Sequence, residues 1–434
     1  MAASPPRTLS LLLITPLDYC RSFNNREHNA VRYYAGRGDR VTLVGKRLNR
    51  TAGLRAALRD GLTSRTEEVT LDGATIRTID PFLNFFGGIA RRASANRAST
   101  DHPRPMAWLK GALIRLARPF SLLREVAATG AFVTAAWRPS ARADVVVAFG
   151  PWAALPAWLL KRAGRVRHLV YVDRDYEAGL FTDTRQAVTA WLERALPGAA
   201  DTFITIGPRL QGLRVAETGL TPLICETGVD FDRMAAARAT SGASAEAFGI
   251  VYVGNVIEWS GVGKLLSALP HLPEHVSVRI VGDGLPGFTE HLRRRATELG
   301  VADRVSFTGP VPYAKVQFQL GGMALGFALS EPNAYRTYAY PLKVLEYFAA
   351  GLPVVATVGT EGGDIVARAE AGIVLPQDVA ALSDAIAALA ADPERYARMR
   401  QNALATAQAF SWTRSFDRER AAIVANMQAA RRRP

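Results

Sequence analysis

Residues 340–357 read YPLKVLEYFAAGLPVVAT, and this stretch decides the fold. Pro341 suits a first helical turn, where its missing N–H is not needed. Gly351 ends the helix and Pro353 keeps it from resuming. Val354-Val355-Ala356 then follow as a short buried strand. Lys343, Glu346 and Ala350 fall at i, i+3 and i+7, so a cation and a carboxylate share one helix face. At a helix start inside an α/β unit, such a Lys can hold a phosphate while the carboxylate accepts bonds from ribose hydroxyls. The plainer alternative is a solvated ion pair on an ordinary helix.

Working outward, the same strand-helix alternation fills two halves of the chain. The first half reads as a strand at 9–14, a helix at 26–35, a turn at 36–39 and a strand at 41–45. Further strands follow at 144–149, 168–172, 202–206 and 223–225, with a helix through 158–162. The second half starts at Ile250-Val251-Tyr252-Val253-Gly254 and continues with strands at 278–281, 305–307, 324–328, 354–356 and 373–375. Alternation of this kind predicts an α/β fold of two doubly wound parallel sheets. Its domains are expected at 1–230 and 249–408, with a linker at 231–248 and a terminal helix at 409–434. Ligands of such sheets sit beyond the carboxyl ends of strands, so the loops after Val253, Val281 and Ala328 should face the cleft.

Composition narrows the class. A chain of 434 residues exceeds one ordinary core, and 49% apolar with 21% charged residues is globular rather than disordered. Two cysteines, Cys20 and Cys225, make no framework and suit a reducing, cytoplasmic setting. The apolar run at 9–14 is too short for a signal peptide, and no stretch reaches the ~18 apolar residues of a spanning helix. A soluble or surface-bound protein is expected.

The charge is uneven. Between Phe86 and Arg142 ten basic residues face only Asp101 and Glu125, giving +8 of the formal +14. Trp108, Trp137, Trp152 and Trp158 gather there or just beyond, and 108–124 (WLKGALIRLARPFSLLR) mixes apolar and basic residues at helical spacing. Pro119 should kink or split that helix. This basic insertion, about 81–142, fits docking on an anionic bilayer surface. No nucleic-acid-reading motif accompanies the charge, so nucleic acid is not expected as a partner. A core-packing helix pair with solvated arginines is the alternative.

The second half resembles the nucleotide-sugar domain of GT-B glycosyltransferases, close to the family 4 pattern. The motifs come in order: YVGN (252–255), RIVGDG (279–284), RVSFTGPV (304–311), the 340–357 stretch and AGIVLP (371–376). CETGVD (225–230) resembles that family's Asn-Gly-Val-Asp turn with Thr227 in place of Asn. FSW (410–412) resembles the start of a C-terminal helix returning to the first domain. The resemblance implies a GT-B fold and donor-binding residues Gly254, Asn255, Gly282, Tyr340, Lys343 and Glu346.

Departures bear on mechanism. Retaining members carry two glutamates eight positions apart, and counting back from Glu346 reaches Tyr338. The usual Arg and Lys of the diphosphate site are replaced by Asn255 and Ser260 or its neighbours. The double-glycine loop after the first strand is replaced by Thr15-Pro16-Leu17-Asp18. Lys343 is then the main side-chain charge expected on the donor phosphates, helped by backbone N–H groups near Gly254. The pattern resembles the inverting GT-B branch represented by the xanthan glucuronosyltransferase. Asp18 and His28 match its Asp and His after the first strand, and Asp175 matches its base after a Leu-Val-Tyr strand.

Inverting transfer needs one base for the acceptor hydroxyl and positive groups for the leaving diphosphate. Asp175, with Asp173 as second choice, is the expected base; the alternative is a structural Asp-Arg pair or helix cap. Asp18, His28 and Arg174 are expected to meet the acceptor. Histidine spacing offers no metal site and no cofactor is expected. The expected function is an inverting glycosyltransferase that moves a sugar from a nucleotide-diphosphate sugar, UDP-sugar favoured, to a lipid-linked glycan acceptor. The setting is surface polysaccharide synthesis, peripheral on the cytoplasmic face of the inner membrane. The alternatives are a retaining family 4 enzyme using GDP-mannose, a GT-B sugar-nucleotide epimerase and an inactive sugar-nucleotide-binding subunit.

Overall fold

The computed structural model describes residues 8–20, 25–47, 65–80, 104–244, 246–284, 287–331 and 333–432, with the backbone alone for Arg65 and 104–120. The chain divides into two compact units. The first runs to Glu226 and takes in Phe416 onward; the second is Thr227–Ser415.

The first unit holds eight strands: β1 Ser10–Thr15, β2 Arg40–Lys46, β3 Arg65–Leu71, β4 Ala74–Asp80, β5 Val145–Phe149, β6 His168–Asp173, β7 Thr202–Thr205 and β8 Leu223–Ile224. Their order is β3-β4-β2-β1-β5-β6-β7-β8, parallel except for the β3–β4 pair. All of VVVAF in β5 is buried, as befits a strand with helices on both faces. Helices Arg26–Gly36, Arg104–Ser140, Pro151–Arg162, Thr184–Ala195 and Pro208–Thr218 flank the sheet.

Three features differ from expectation, two of them in this unit. Arg104–Ser140 runs as one helix through Pro119, which removes a single backbone donor. The hairpin β3–β4 escaped the sequence reading although Asp72-Gly73 marks it: both residues take positive φ, 52° and 76°, as a two-residue hairpin turn requires. Phe231–Phe248, expected as a linker, folds within the second unit, where Met234, just before a short helix, and Ala237 within it are buried in the core. Residues 81–103 of the expected insertion, including Arg91, Arg92 and Arg97, lie outside the described residues.

The second unit holds β9 Phe248–Val253, β10 Val276–Val281, β11 Val305–Gly309, β12 Leu325–Ala328, β13 Val354–Thr357 and β14 Gly372–Leu375, in the order β11-β10-β9-β12-β13-β14, all parallel. The helix Leu342–Ala349 packs on it with Val344, Leu345, Tyr347 and Phe348 fully buried. Pro341 lies one residue before this helix, and Gly351 ends it at φ 75°. Among the described residues no helix is long and apolar enough to cross a membrane.

Candidate functional site

The second unit carries a cavity of about 310 Å³ at the carboxyl ends of β9 and β12, between the start of the Leu342–Ala349 helix and the loop after β9. Lys343, Tyr340, Arg336, Trp259, Thr360 and Gly362 line it. The Lys343 ammonium lies 4.5 Å from the centre of the Tyr252 ring and makes no hydrogen bond or ion pair among the described residues. Burial, then the neighbouring Arg336, pushes its pKa down to about 8. Gly254 lets it approach: a Cβ there would stand 3.1 Å from Nζ, and φ is 142°. Gly254 and Lys343 thus meet as the sequence reading expected.

Arg336 is the residue that reading missed. Its guanidinium lies flat on Trp259, 3.0 Å from the ring centre, and NH1 donates to the carbonyls of Trp259 (3.0 Å) and Glu331 (3.5 Å). It is buried, and burial lowers its pKa to about 10. The loop after β9, which lacks the usual Arg and Lys, supplies an aromatic platform that holds a cation from another loop. Thr360 was missed too. Its Oγ1 caps the Glu361–Ala369 helix by accepting from the Gly363 N–H at 3.1 Å, which presents that helix N-terminus to the cavity. A Thr-Glu-Gly-Gly run two residues after a buried strand was the available signal for it.

The other expected donor residues stand around this core. Glu346 is buried beside the cavity, and its Oε1 accepts the Tyr313 hydroxyl at 2.6 Å. Burial raises its pKa. Its other oxygen makes no bond among the described residues. Tyr340 lines the cavity. Asn255 is exposed, and its carbonyl accepts the Tyr252 hydroxyl at 2.7 Å. Gly282 packs beneath the loop: a Cβ there would stand 2.0 Å from the Gly254 carbonyl, so its glycine serves a backbone crossing.

In the first unit the residues expected to do acid–base work sit at the end of β6. Asp173 is corrected by the structure. It is fully buried, and both oxygens take Arg214 at 2.6 and 3.3 Å. Arg214 also meets Glu193 (3.3 Å) and Glu217 (2.7 Å), so Asp173 is a structural ion-pair partner and not an accessible base. Asp175, two residues on, is half-buried. Glu177, which the sequence reading did not single out, is pushed up to about 8, first by burial and then by the charge of Asp175 against Arg174.

Arg174 pairs with Glu27 and lies 3.6 Å from Glu177, so carboxylates of its own chain already hold it. His28 is also corrected: it stacks on Tyr19 at 4.1 Å, and Nε2 meets the Tyr19 carbonyl at 2.8 Å. Burial lowers its pKa, so it is a neutral packing residue rather than a phosphate-holding cation. Asp18 is buried in the loop after β1. Among the described residues no group of three His, Cys, Asp or Glu is placed to hold a metal ion.

The sequence profile described as "Glycosyl transferases group 1" matches residues 247–392, the greater part of the second unit and about a third of the chain. Among curated proteins the chain is similar to the GDP-mannose-dependent alpha-(1-6)-phosphatidylinositol monomannoside mannosyltransferase of Mycolicibacterium smegmatis. The two are 34% identical over 191 residues, 40% of this chain and 48% of that protein. It is also similar to D-inositol 3-phosphate glycosyltransferase 1 of Catenulispora acidiphila, 28% identical over 56% of this chain and 61% of that one. The chain thus spans about half the length of the curated relatives it matches. Among solved structures it resembles Anabaena HepE in complex with UDP, with TM-score 0.65, 16% identity and coverage of 96% and 100% of the two chains. It also resembles the sucrose-phosphate synthase of Thermosynechococcus elongatus, with TM-score 0.65, 18% identity and 98% of both chains. At such identities the likeness shows the fold, which is GT-B: two parallel-sheet α/β units.

Proposed function

We propose that this chain is a glycosyltransferase that takes a nucleotide-diphosphate sugar in the second unit and passes the sugar to a lipid-linked acceptor. The observation that carries the reading is the pair Lys343 and Arg336. Arg336 is buried and Lys343 half-buried in one cavity, and neither has a carboxylate partner among the described residues. Burying two like charges is unfavourable unless a ligand neutralises them. A diphosphate, further bonded by the helix N-terminus at Thr360, does so. The free oxygen of Glu346 is the acceptor for a ribose hydroxyl. The group 1 profile over this same unit supports the reading.

In the proposed reaction the acceptor oxygen attacks the anomeric carbon while Asp175 takes its proton. The bond to the diphosphate breaks with its electron pair going to the leaving phosphate oxygen. Inversion follows, as in the xanthan-type branch, and no bound divalent ion takes part. A UDP-sugar is the favoured donor, in keeping with the UDP held by the Anabaena neighbour. The second reading is GDP-mannose with retention, favoured by the similarity to the GDP-mannose-dependent Mycolicibacterium mannosyltransferase, whose acceptor is a phosphatidylinositol monomannoside. Peripheral binding to the cytoplasmic membrane face, for surface polysaccharide synthesis, belongs to the same proposal. It is supported by the +8 stretch and by exposed Leu123, Val126 and Trp137 on the Arg104–Ser140 helix.

A thermal-shift screen across UDP-, GDP-, ADP- and dTDP-sugars tests the donor, since a ligand of the native state raises the midpoint by mass action. One base should stand out. No shift with any of them sinks the reading. Release of nucleoside diphosphate only with acceptor lipid separates a transferase from an epimerase or a silent binding subunit. The anomeric configuration of the product, by NMR, decides between inversion and retention, and turnover in EDTA checks the independence from metal.

A further inference from the structure

A second cavity, of about 590 Å³, opens at the amino ends of β1, β2 and β4 in the first unit. This is the edge opposite the one where open α/β sheets bind their ligands, so it lies outside any site for the proposed transfer. Its wall is made of Arg40, Arg77, Arg138, Arg142 and Arg165, with Glu68 the one carboxylate among the lining residues.

Most of that charge is uncommitted. Glu68 is taken by Arg77, whose Nε donates to it at 2.7 Å while NH1 donates to the Ala135 carbonyl at 2.8 Å. Two other carboxylates stand close by, and both have partners. Asp39 accepts the Leu9 N–H and pairs with Arg420, and Asp144 accepts the Ser10 N–H. Arg40, Arg138 and Arg142 are exposed, and their guanidinium groups make no hydrogen bond or ion pair among the described residues. Arg165 is held in place with its guanidinium 4.7 Å from the centre of the Trp137 ring, and NH2 donates to the Trp137 carbonyl at 3.0 Å. Its Nε is buried with no partner.

Five guanidinium groups around one concave space, four of them without a carboxylate, are unfavourable for the free chain through mutual repulsion. Each offers a planar fork that matches two oxygens of a phosphate. We infer that this cavity is a second anion site, built for a phosphate-bearing polyanion and separate from the cavity around Lys343. Two sources carry that chemistry: a free polyphosphate, or the headgroup of an anionic lipid beside the exposed Trp137.

The test uses the full chain carrying Lys343→Ala, which weakens the second unit's phosphate cavity, with and without Arg138→Ala and Arg142→Ala together. Both arginines are exposed, so the fold should survive; an unchanged thermal midpoint verifies it, and Arg40→Ala is the substitute if it does not. Inorganic tripolyphosphate is titrated by calorimetry. Vesicles of phosphatidylcholine with and without phosphatidate are co-sedimented at rising NaCl. For a free polyphosphate, tripolyphosphate binds, and the arginine substitutions weaken it at least about tenfold, as loss of charge-assisted bonds implies. For a lipid headgroup, only the phosphatidate vesicles bind, salt weakens that binding, and the same substitutions abolish it. Binding of neither probe, or binding that the arginine substitutions leave unchanged, overturns the proposal. Because the readout is the change made by Arg138→Ala and Arg142→Ala, on a background where the Lys343 cavity is already weakened, this outcome does not depend on whether the chain is a glycosyltransferase.

Discussion

Arg214 in the first unit is fully, and Lys343 in the second partly, withdrawn from water, and they differ in what answers them. Arg214 is fully buried, yet Asp173, Glu193 and Glu217 all reach it, and their charges raise its pKa against the burial that opposes it. Lys343 has the Tyr252 ring, a like-charged neighbour in Arg336 and no ion pair, and its pKa falls to about 8. A buried charge satisfied by its own chain is scaffold, because nothing is left for a ligand to gain. A buried charge without a partner is kept at a cost in stability, and a ligand recovers that cost on binding.

The sharpest break of this contrast is Arg214→Ala. It strands Asp173 and Glu193 without their cation, and breaking a buried pair in this way costs about 3–5 kcal/mol. Chemical denaturation should show that loss at neutral pH. The deficit should shrink on acidification. Stranded buried carboxyls have raised pKa values, so the folded variant binds more protons than the unfolded chain and gains stability as pH falls. If Arg214→Ala is as stable as the parent, the scaffold reading of this cluster fails.

Next in size is Asp175→Asn. It keeps shape and removes basicity, so turnover should drop by ~10²-fold or more while donor affinity and thermal midpoint hold. Asp173→Asn should instead lower the midpoint, because its oxygens serve Arg214. A stable, inactive Asp173→Asn beside an active Asp175→Asn would reverse the two roles.

Lys343→Ala should weaken the donor by about 10- to 100-fold, the worth of a charge-assisted phosphate bond. It should leave stability unchanged or slightly raised, the opposite of Arg214→Ala. Unchanged donor affinity by calorimetry would remove the cavity from the proposal.

What the sequence made legible follows the same division. Strands such as VVVAF in β5 and FGIVYV in β9 are continuous apolar runs because helices cover both faces of their sheets, and they were readable as strands. Lys343 was readable because helix phase sets it at a strand-end helix start. Asp173 and Asp175 were not separable, since what distinguishes them is Arg214, 41 positions beyond Asp173 on the Pro208–Thr218 helix. Arg336 was invisible for a related reason. Its role comes from lying on Trp259 across two loops, a contact that no local spacing encodes. His28 misled because a lone histidine on a helix looks the same whether it faces a ligand or stacks on Tyr19.

The smallest effect is the most specific to Lys343. With its pKa near 8 in the free chain, the ammonium is mostly charged at pH 7 and mostly neutral at pH 9. An anionic donor binds the charged form better, so bound donor holds the proton on and affinity falls as pH rises through 8. The fall should be about tenfold between pH 7 and pH 9, the ratio of charged fractions for a group of that pKa. The diphosphate of a nucleotide sugar carries constant charge over that range, and Arg336, near 10, stays charged through it. Calorimetric dissociation constants at half-unit steps would show the profile, and Lys343→Arg should flatten it by keeping the charge. A flat profile in the parent chain would mean that Lys343 is not the titrating contact. A slope that survives in Lys343→Arg would move the titration to another group and leave Arg336 as the cation that carries the phosphates.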